Sequence, residues 1–255
     1  MKNIMKEIPL VILLLLSCCH GAHAQQLKKN VPDKLVVLTF DDAVLSHYTT
    51  VATLLKQYGF GATFFVCEFG KPSFQDKSLY MTWEQIAKLS QMGFEIGNHT
   101  WHHTHVNKMD STRFEAELDY IEKKCREYHI PKPVSFAYPG YDTSKRAITV
   151  LKNKGYRYAR AGWDRPYDPA ADSPYLIPGF TTHTENTKQG FELLQEAKNG
   201  KIAVLTIHGV PDDAHPWVNT SVEVLKGYLN YLKENHYTVI AMRDLDKYIN
   251  AEPTY

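Results

Sequence analysis

The sequence predicts an α/β fold built on a parallel sheet, and three observations support this prediction. Short apolar runs alternate along the chain with longer segments in which apolar residues recur at helical spacing. Several of the predicted helices end in a glycine followed by an aromatic residue, as at Gly59, Gly93 and Gly155, and such a glycine supplies the left-handed backbone that ends a helix. The short runs are apolar on both faces, which is typical of parallel strands covered by helices.

The apolar runs predict seven strands, separated by helices. Two of the helices are Thr82–Gln91, which opens with the capping-box sequence Thr82-Trp83-Glu84-Gln85, and Ser111–Tyr128. Seven strand–helix units suggest a sheet closed into a barrel, and an open doubly wound sheet is the alternative because periodicity does not distinguish the two. No linker-like tract divides the chain after its N-terminal segment, so we expect a single domain. The predicted strands are Leu35–Phe40, Ala62–Cys67, Phe94–Asn98, Val134–Tyr138, Tyr156–Ala161, Ile202–Ile207 and Thr238–Met242.

The N-terminal segment has the features of a secretory signal peptide. Lys2 and Lys6 precede an apolar run, and small residues at Ala22 and Ala24 form a cleavage site. We therefore expect residues 1–24 to be removed and residues 25–255 to form a secreted or periplasmic catalytic domain with no membrane span. A lipoprotein anchored through Cys18 is the alternative.

Charge and cysteine content narrow the possible partners. The formal net charge is +1, with acidic and basic residues interspersed, so the sequence lacks the basic patch of a protein that binds nucleic acid or an anionic membrane. A neutral or small substrate is expected. Cys67 and Cys125 are the cysteines of the predicted mature domain, and two buried thiols are favoured over a disulfide because no framework spacing supports one.

Polar residues with catalytic potential follow three of the predicted strands. Asp41 and Asp42 end the first strand, His99 and His103 follow the third, and His208 follows the penultimate one. Because functional residues of parallel α/β folds lie at the carboxyl ends of the strands, all five are expected at one mouth. Each group alone has a simpler explanation, such as a helix cap, a solvated histidine tract or a packed histidine. Their joint placement favours a site.

The spacing of these residues suits a hydrolytic metal centre. Two histidines four residues apart point the same way, and one carboxylate completes a three-ligand site with open positions for water and substrate. The second Asp of the pair can bind the metal while the first accepts a proton. A histidine on another strand can protonate the leaving group.

In this order and spacing the three motifs resemble those of the NodB-type polysaccharide deacetylases, family four of the carbohydrate esterases. The resemblance implies a distorted (β/α) barrel, usually of seven strands, and hydrolysis of N- or O-acetyl groups on an acetylated carbohydrate. It further implies that Asp41 is the catalytic base, that Asp42, His99 and His103 bind a divalent metal, usually Zn²⁺, and that His208 is the catalytic acid.

The chain departs from the family pattern at its third motif. The family has Arg where this chain has Ala137, so the cation that contacts the catalytic Asp is missing. Arg160 lies near the end of the next predicted strand, and consecutive strands of a parallel barrel are usually neighbours. We therefore predict that Arg160 replaces the missing Arg, with an ordinary surface or salt-bridge Arg as the alternative.

Other residues are candidates for substrate contacts. The backbone after Pro139, at Gly140 or Tyr141, is a candidate oxyanion donor. Trp217, in the segment after His208, is a candidate for stacking on a sugar ring. The family's fourth motif, which orients the catalytic His, is only loosely matched by Trp163-Asp164.

Three other functions are less well supported by the sequence. A glycan-binding module of the same fold would not need Asp41 and His208. A zinc peptidase of the common helical type would carry His-Glu-x-x-His, and a serine esterase would carry Gly-x-Ser-x-Gly, and neither motif occurs in the chain.

Overall fold

The centre of the fold is a closed ring of seven parallel strands. In the computed structural model, which describes residues 27–70 and 72–250, each of the first six strands pairs with the next, and the seventh pairs with the first, which closes the ring. The expected barrel is therefore confirmed, and the open sheet is excluded. The ring consists of β1 (Leu35–Phe40), β2 (Thr63–Val66), β3 (Glu95–Asn98), β4 (Ser135–Ala137), β5 (Tyr158–Trp163), β6 (Ile177–Thr181) and β7 (Ala203–Ile207).

The membership of the ring differs from the sequence prediction at two strands. The strand β6 was not predicted, because Pro178 and Gly179 interrupt the apolar run that would have signalled it. The predicted strand Thr238–Met242 forms as β8 (Thr238–Ile240). It pairs with the first half of β1, whereas β2 pairs with the second half. As a result β8 lies beside the ring and does not belong to it.

Over residues 27–70 and 72–250, six α-helices follow the strands, and their apolar faces cover the outside of the barrel. The predicted capping box is present at the start of α2, where the Gln85 amide donates to Thr82 Oγ1 at 3.3 Å and the Thr82 amide donates to Gln85 Oε1 at 2.8 Å. Among the described residues no helix is both long and apolar enough to cross a membrane. The helices are α1 (Ala52–Tyr58), α2 (Trp83–Gln91), α3 (Ser111–Glu127), α4 (Lys145–Asn153), α5 (Thr187–Gln195) and α6 (Val222–Glu234).

Strand alternation decides which side chains enter the barrel. In β1, Val36 and Leu38 pack with residues of the surrounding helices, whereas Leu35 and Val37 belong to a separate cluster inside the ring. Continuing this alternation past the end of β1 puts Asp41 on the inner side. The same rule applies to His99 after β3 and to His208 after β7.

The opposite end of the barrel is closed by a polar plug. Glu95 is buried there, and its carboxylate accepts hydrogen bonds from Thr63 Oγ1 and Ser135 Oγ, both at 2.7 Å, and from the Arg243 amide at 2.8 Å. Burial raises the pKa of Glu95 despite these donors. This end of the barrel is therefore occupied by hydrogen-bonded polar groups around Glu95.

The inner layer below the mouth needs a glycine at position 97. A Cβ on Gly97 of β3 would lie 2.4 Å from the Phe65 ring and 3.2 Å from the Ser135 carbonyl. We expect Gly97→Ala to lower the free energy of unfolding by about 1–3 kcal/mol through overpacking. Gly227→Ala is the control, because its Cβ in α6 would meet nothing closer than 3.8 Å, and it should stabilise the protein by about 0.5–1 kcal/mol. Urea unfolding measures both, and a Gly97→Ala protein as stable as wild type would contradict the packing argument.

Candidate active site and metal centre

The three predicted motifs meet at the mouth of the barrel. Asp42, His99 and His103 each offer one ligand atom, and these atoms all lie within 4.8 Å of one another. The Nε2 atoms of His99 and His103 are 3.5 Å and 3.4 Å from the same atom, Asp42 Oδ1. This cluster of one carboxylate and two imidazoles has the composition of a catalytic zinc site with three protein ligands.

The orientation of His99 is fixed from outside the cluster. Its Nδ1–H donates to the Ala137 carbonyl at 2.8 Å, so in the neutral ring Nε2 carries the lone pair and faces Asp42. A backbone acceptor behind a ligand histidine is a usual feature of metal sites. The donor set therefore fits a divalent metal.

The charges of the cluster also fit a cation site. Burial acts to raise the pKa of Asp42, but the surrounding histidines His99, His103 and His208 outweigh it and hold this pKa well below its usual range. Burial, aided by the neighbouring His99, lowers the pKa of His103 to about 4, so this ring is neutral and able to bind a metal at physiological pH. Burial also acts to lower the pKa of His99, but the carboxylates of Asp41 and Asp42 outweigh it and leave this pKa raised.

The loops that carry the ligands have an unusual backbone. Asp42 and His103 both have positive φ values, of 78° and 55°, and so do Ala43 and Thr100 beside them. Residues other than glycine rarely adopt this conformation, which costs on the order of 1–3 kcal/mol and is concentrated at functional sites. This unfavourable backbone conformation occurs at the two turns that orient the metal-binding side chains towards the mouth of the barrel.

Arg160 lies against the candidate base. Its guanidinium is fully buried, with Nη2 donating to Asp41 Oδ2 and Nη1 donating to Thr206 Oγ1 at 2.9 Å. Arg160 pairs in register with Ala137 on the neighbouring strand, at the position where the family motif carries its Arg. Arg160 is therefore not a surface residue, and its salt bridge is with the candidate base itself.

Small residues make room for this arginine. A Cβ on Gly179 of β6 would lie 3.0 Å from Arg160 Cδ and 2.7 Å from Thr206 Oγ1, so the side chain crosses the barrel where Gly179 leaves space. The second carboxylate oxygen of Asp41, Oδ1, is buried and has no hydrogen-bond partner in the part of the chain that the structure describes. Arg160 thus orients one oxygen of Asp41 and leaves the other available.

His208 lies on the opposite side of Asp42 from the two ligand histidines. Its Nε2 is 3.9 Å from Asp42 Oδ2, and its backbone carbonyl accepts a hydrogen bond from Nε2 of the buried His47 at 2.8 Å. In the loosely matched fourth motif, the Asp164 carboxylate accepts a hydrogen bond from the Thr181 amide at 3.2 Å. His47 thus holds the backbone of His208, and no group among the described residues hydrogen-bonds the His208 Nδ1 atom.

A pocket of about 340 Å³ opens over these residues. Gly140, Tyr141 and Trp217 line it together with the metal cluster, Asp41 and His208. The Tyr141 amide is not a free oxyanion donor, because it donates to the Tyr138 carbonyl at 3.0 Å, and Gly140 remains the candidate. Trp217 is 74% exposed at the rim, where its rings are free to stack on a ligand.

Sequence reasoning missed several residues of the pocket. His215 is buried, with Nδ1 3.7 Å from Asp42 Oδ2 and 3.4 Å from Asp212 Oδ1, and with Nε2 3.2 Å from the Tyr80 hydroxyl. Phe69 packs against the rings of His103 and His215. The sequence could have indicated His215, because it lies seven residues after His208 in the same loop. Phe69 lies in a loop that carries no recognisable motif.

Other candidates lie outside this pocket. The two other histidines of the loop after β3 are hydrogen-bonded elsewhere, His102 to Glu117 and His105 to Asp142, and neither belongs to the metal cluster. Cys67 and Cys125 are both buried free thiols, as expected.

Comparison with known proteins identifies the family. A family model described as polysaccharide deacetylase matches residues 28–159, more than half of the chain. The chain is 26% identical over 217 residues to a peptidoglycan-N-acetylglucosamine deacetylase of Bacillus cereus, covering 85% of this chain and 90% of the relative. It is 24% identical over 192 residues to a chitin deacetylase of a Pestalotiopsis species, covering 71% and 62%.

Solved structures support the same fold. The chitin deacetylase of Colletotrichum lindemuthianum superposes with a TM-score of 0.61 at 18% identity, covering 88% of this chain and 94% of that one. At this identity the likeness concerns the fold alone. The family match is the stronger finding, because it spans both the aspartate pair after β1 and the two histidines after β3. The chain belongs to the polysaccharide deacetylase family.

Proposed function

We propose that the chain is a secreted, metal-dependent hydrolase that removes acetyl groups from a carbohydrate. One observation carries the proposal. A carboxylate and two imidazole nitrogens converge at the floor of a pocket, beside a second carboxylate, Asp41, which is held by a buried arginine and keeps one free oxygen. A binding module has no need of that second carboxylate.

The metal ligands in this proposal are Asp42, His99 and His103, and Zn²⁺ is the proposed ion. Two nitrogen donors, a set of three protein ligands and a neutral His103 favour zinc over Mg²⁺ and Ca²⁺, which prefer oxygen ligands. An ion held there would polarise the acetyl carbonyl and make a water molecule more acidic.

Asp41 acts as the general base. Its Oδ1 accepts a proton from the water that attacks the acetyl carbonyl carbon, while Oδ2 stays bound to Arg160. The buried guanidinium keeps this carboxylate in one orientation and offsets its charge beside Asp42. The amide of Gly140 is the proposed donor to the oxygen that becomes negative in the tetrahedral intermediate.

His208 acts as the general acid. Its Nε2 faces the pocket from the side opposite His99, and it donates a proton to the leaving nitrogen or oxygen as the bond to the acetyl carbon breaks. Acetate and a free amine or hydroxyl are the products. The proton that Asp41 took from water balances the one that His208 donates.

The proposed substrate is a glycan that contains N-acetylated sugars. The pocket rim carries aromatic rings at Tyr141 and Trp217, which suit the apolar face of a sugar. The names of the relatives from Bacillus cereus and Pestalotiopsis refer to deacetylation of peptidoglycan N-acetylglucosamine and of chitin. The signal-peptide sequence suits a substrate outside the cytoplasm.

The direct test of this function is acetate release. Zinc-loaded protein should release acetate from at least one member of a panel of chitin oligosaccharides, peptidoglycan fragments and O-acetylated xylo-oligosaccharides. The amide and ester members of the panel separate N- from O-deacetylation. No acetate from any member would contradict the proposal.

The metal assignment predicts three equivalent losses. Asp42→Ala, His99→Ala and His103→Ala should each reduce the bound zinc from about one ion per chain towards none, since each removes one of three ligands. Elemental analysis of the purified proteins measures this. His102→Ala and His105→Ala are the matched controls and should keep the metal. Full zinc occupancy in all three ligand variants would exclude this site.

The acid–base assignment predicts loss of turnover without loss of metal. Asp41→Asn and His208→Ala should each lower kcat by roughly a hundredfold or more, because each removes a proton-transfer group. Zinc content is measured on the same samples and should stay unchanged. Near-wild-type turnover in both variants would leave a glycan-binding module as the remaining interpretation.

We expect Arg160 to affect turnover through its contact with Asp41. Arg160→Ala is expected to lower turnover roughly ten- to a thousandfold with little change in zinc content. The substitution also leaves the buried Asp41 carboxylate without its cation, which lowers the free energy of unfolding by about 3–5 kcal/mol. Gly179→Ala is therefore a second variant, since it keeps every charge while its Cβ displaces the Arg160 side chain. Arg165→Ala, which removes an exposed arginine paired with Asp172, is the control. Wild-type kcat in both Arg160→Ala and Gly179→Ala would overturn the role.

A further inference from the structure

A second pocket lies next to the catalytic one. This aromatic pocket has a volume of about 570 Å³, and its walls come from the loop after β2, the start of α2, the loop after β3 and the outer face of α3. No step of the proposed reaction uses it. Its aromatic walls are formed by Phe69, Phe74, Trp83, Trp101, Tyr120 and Tyr128.

Glu68 holds the walls of the aromatic pocket together. Its Oε1 accepts from Trp83 Nε1 at 2.6 Å, and its Oε2 accepts from the Tyr120 hydroxyl at 2.9 Å and from Trp101 Nε1 at 3.3 Å. Trp101 and Tyr120 stack with their ring centroids 3.9 Å apart and their planes within 8°. Three donors on one carboxylate fix the rings in place, so the pocket is pre-formed.

The charges of the pocket point to a neutral ligand. The Glu68 carboxylate is occupied by its three donors, and Lys77 Nζ donates to the Met81 carbonyl at 3.2 Å and lies over the Phe74 ring. The other acidic residue of the lining, Glu84, interacts electrostatically with Lys77. What the pocket offers is therefore aromatic surface with polar groups around it. A pyranose ring has matching chemistry, with apolar C–H faces and hydroxyl groups at its edge.

Two residues join the aromatic pocket to the catalytic pocket. Phe69 lines both, and its ring packs 4.9 Å from that of the metal ligand His103. Trp101 belongs to the loop between the two ligand histidines, His99 and His103. A polymer that places one residue over the metal cluster can therefore pass across Phe69 and place another residue between the aromatic walls.

We propose that the aromatic pocket is a subsite for a neutral pyranose residue of the same glycan chain whose acetyl group lies in the catalytic pocket. The inference rests on the proposed deacetylase function and adds to it that the protein recognises oligosaccharides rather than single sugars. Binding energy from the second pocket is available only to a chain long enough to reach both.

The test compares ligand lengths in proteins with altered walls. Dissociation constants are measured by calorimetry for N-acetylglucosamine and for its β-1,4-linked hexamer, on the zinc-loaded full chain. Every protein in this comparison, including the one with wild-type walls, carries Asp41→Asn so that the hexamer is not deacetylated during the titration. Wild type should bind the hexamer at least tenfold more tightly than the monomer. Tyr120→Ala and Tyr128→Ala should each weaken hexamer binding roughly three- to tenfold and leave monomer binding unchanged, as expected for loss of one stacking ring.

Three further measurements separate recognition from structural damage. Tyr231→Ala, which removes a partly buried tyrosine of α6 outside both pockets, should not change hexamer binding. Tyr120→Phe keeps the ring and should restore most of the affinity lost in Tyr120→Ala. Zinc content should stay at the wild-type value in every variant, which reports an intact barrel mouth.

The outcomes distinguish this inference from the proposed function. A hexamer that binds no more tightly than the monomer, or that binds equally to wild type and to both alanine variants, would overturn the subsite even if acetate is released. Selective loss of hexamer binding in the two alanine variants, with no acetate released from any glycan, would support the subsite and reject the deacetylase.

Discussion

Two adjacent carboxylates, Asp41 and Asp42, are buried at the mouth of the barrel, and most of the site is arranged to compensate their charge. Burying an unpaired carboxylate costs several kcal/mol, so each needs its own source of positive charge or hydrogen bonding. Asp41 has the guanidinium of Arg160, and Asp42 has the imidazoles of His99, His103 and His208 around it. Because the two carboxylates have different partners, they are suited to different tasks.

This division depends on small residues inside the barrel. An arginine that starts on β5 reaches Asp41 because its neighbours on either side, Ala137 on β4 and Gly179 on β6, leave the interior open. The family places its arginine at the position of Ala137. A cation can therefore be supplied from either of two adjacent strands, provided that the other strand contributes a small side chain. The position of the positive charge relative to Asp41 is the physical requirement, and the strand that supplies the arginine is secondary.

The loop after β3 links the two pockets of the molecule. It carries both ligand histidines, and between them it carries Trp101, whose indole is bonded to Glu68 in the wall of the aromatic pocket. His102 in the same loop is fixed to Glu117 of α3 by its backbone amide and its ring. A loop with so many attachments outside the metal cluster is pre-organised before any ligand binds, which is what a site with two ligands at positive φ requires.

The sequence by itself determined the alternation of strands and helices, the three motifs at strand ends and the family, because each depends on local spacing and on residue types with few alternative uses. It also pointed to Arg160, since neighbouring strands in a parallel barrel are usually consecutive in the chain. It did not reveal β6, because Pro178 and Gly179 break the apolar pattern of that strand. In the folded barrel Gly179 leaves the space that the Arg160 side chain occupies. Only the tertiary structure decided that His215 and Phe69 reach the site, that Tyr141 has no free amide, and that Glu68 gathers rings from three separate segments. Such contacts join residues far apart in the chain, and no local pattern records how a closed ring brings them together.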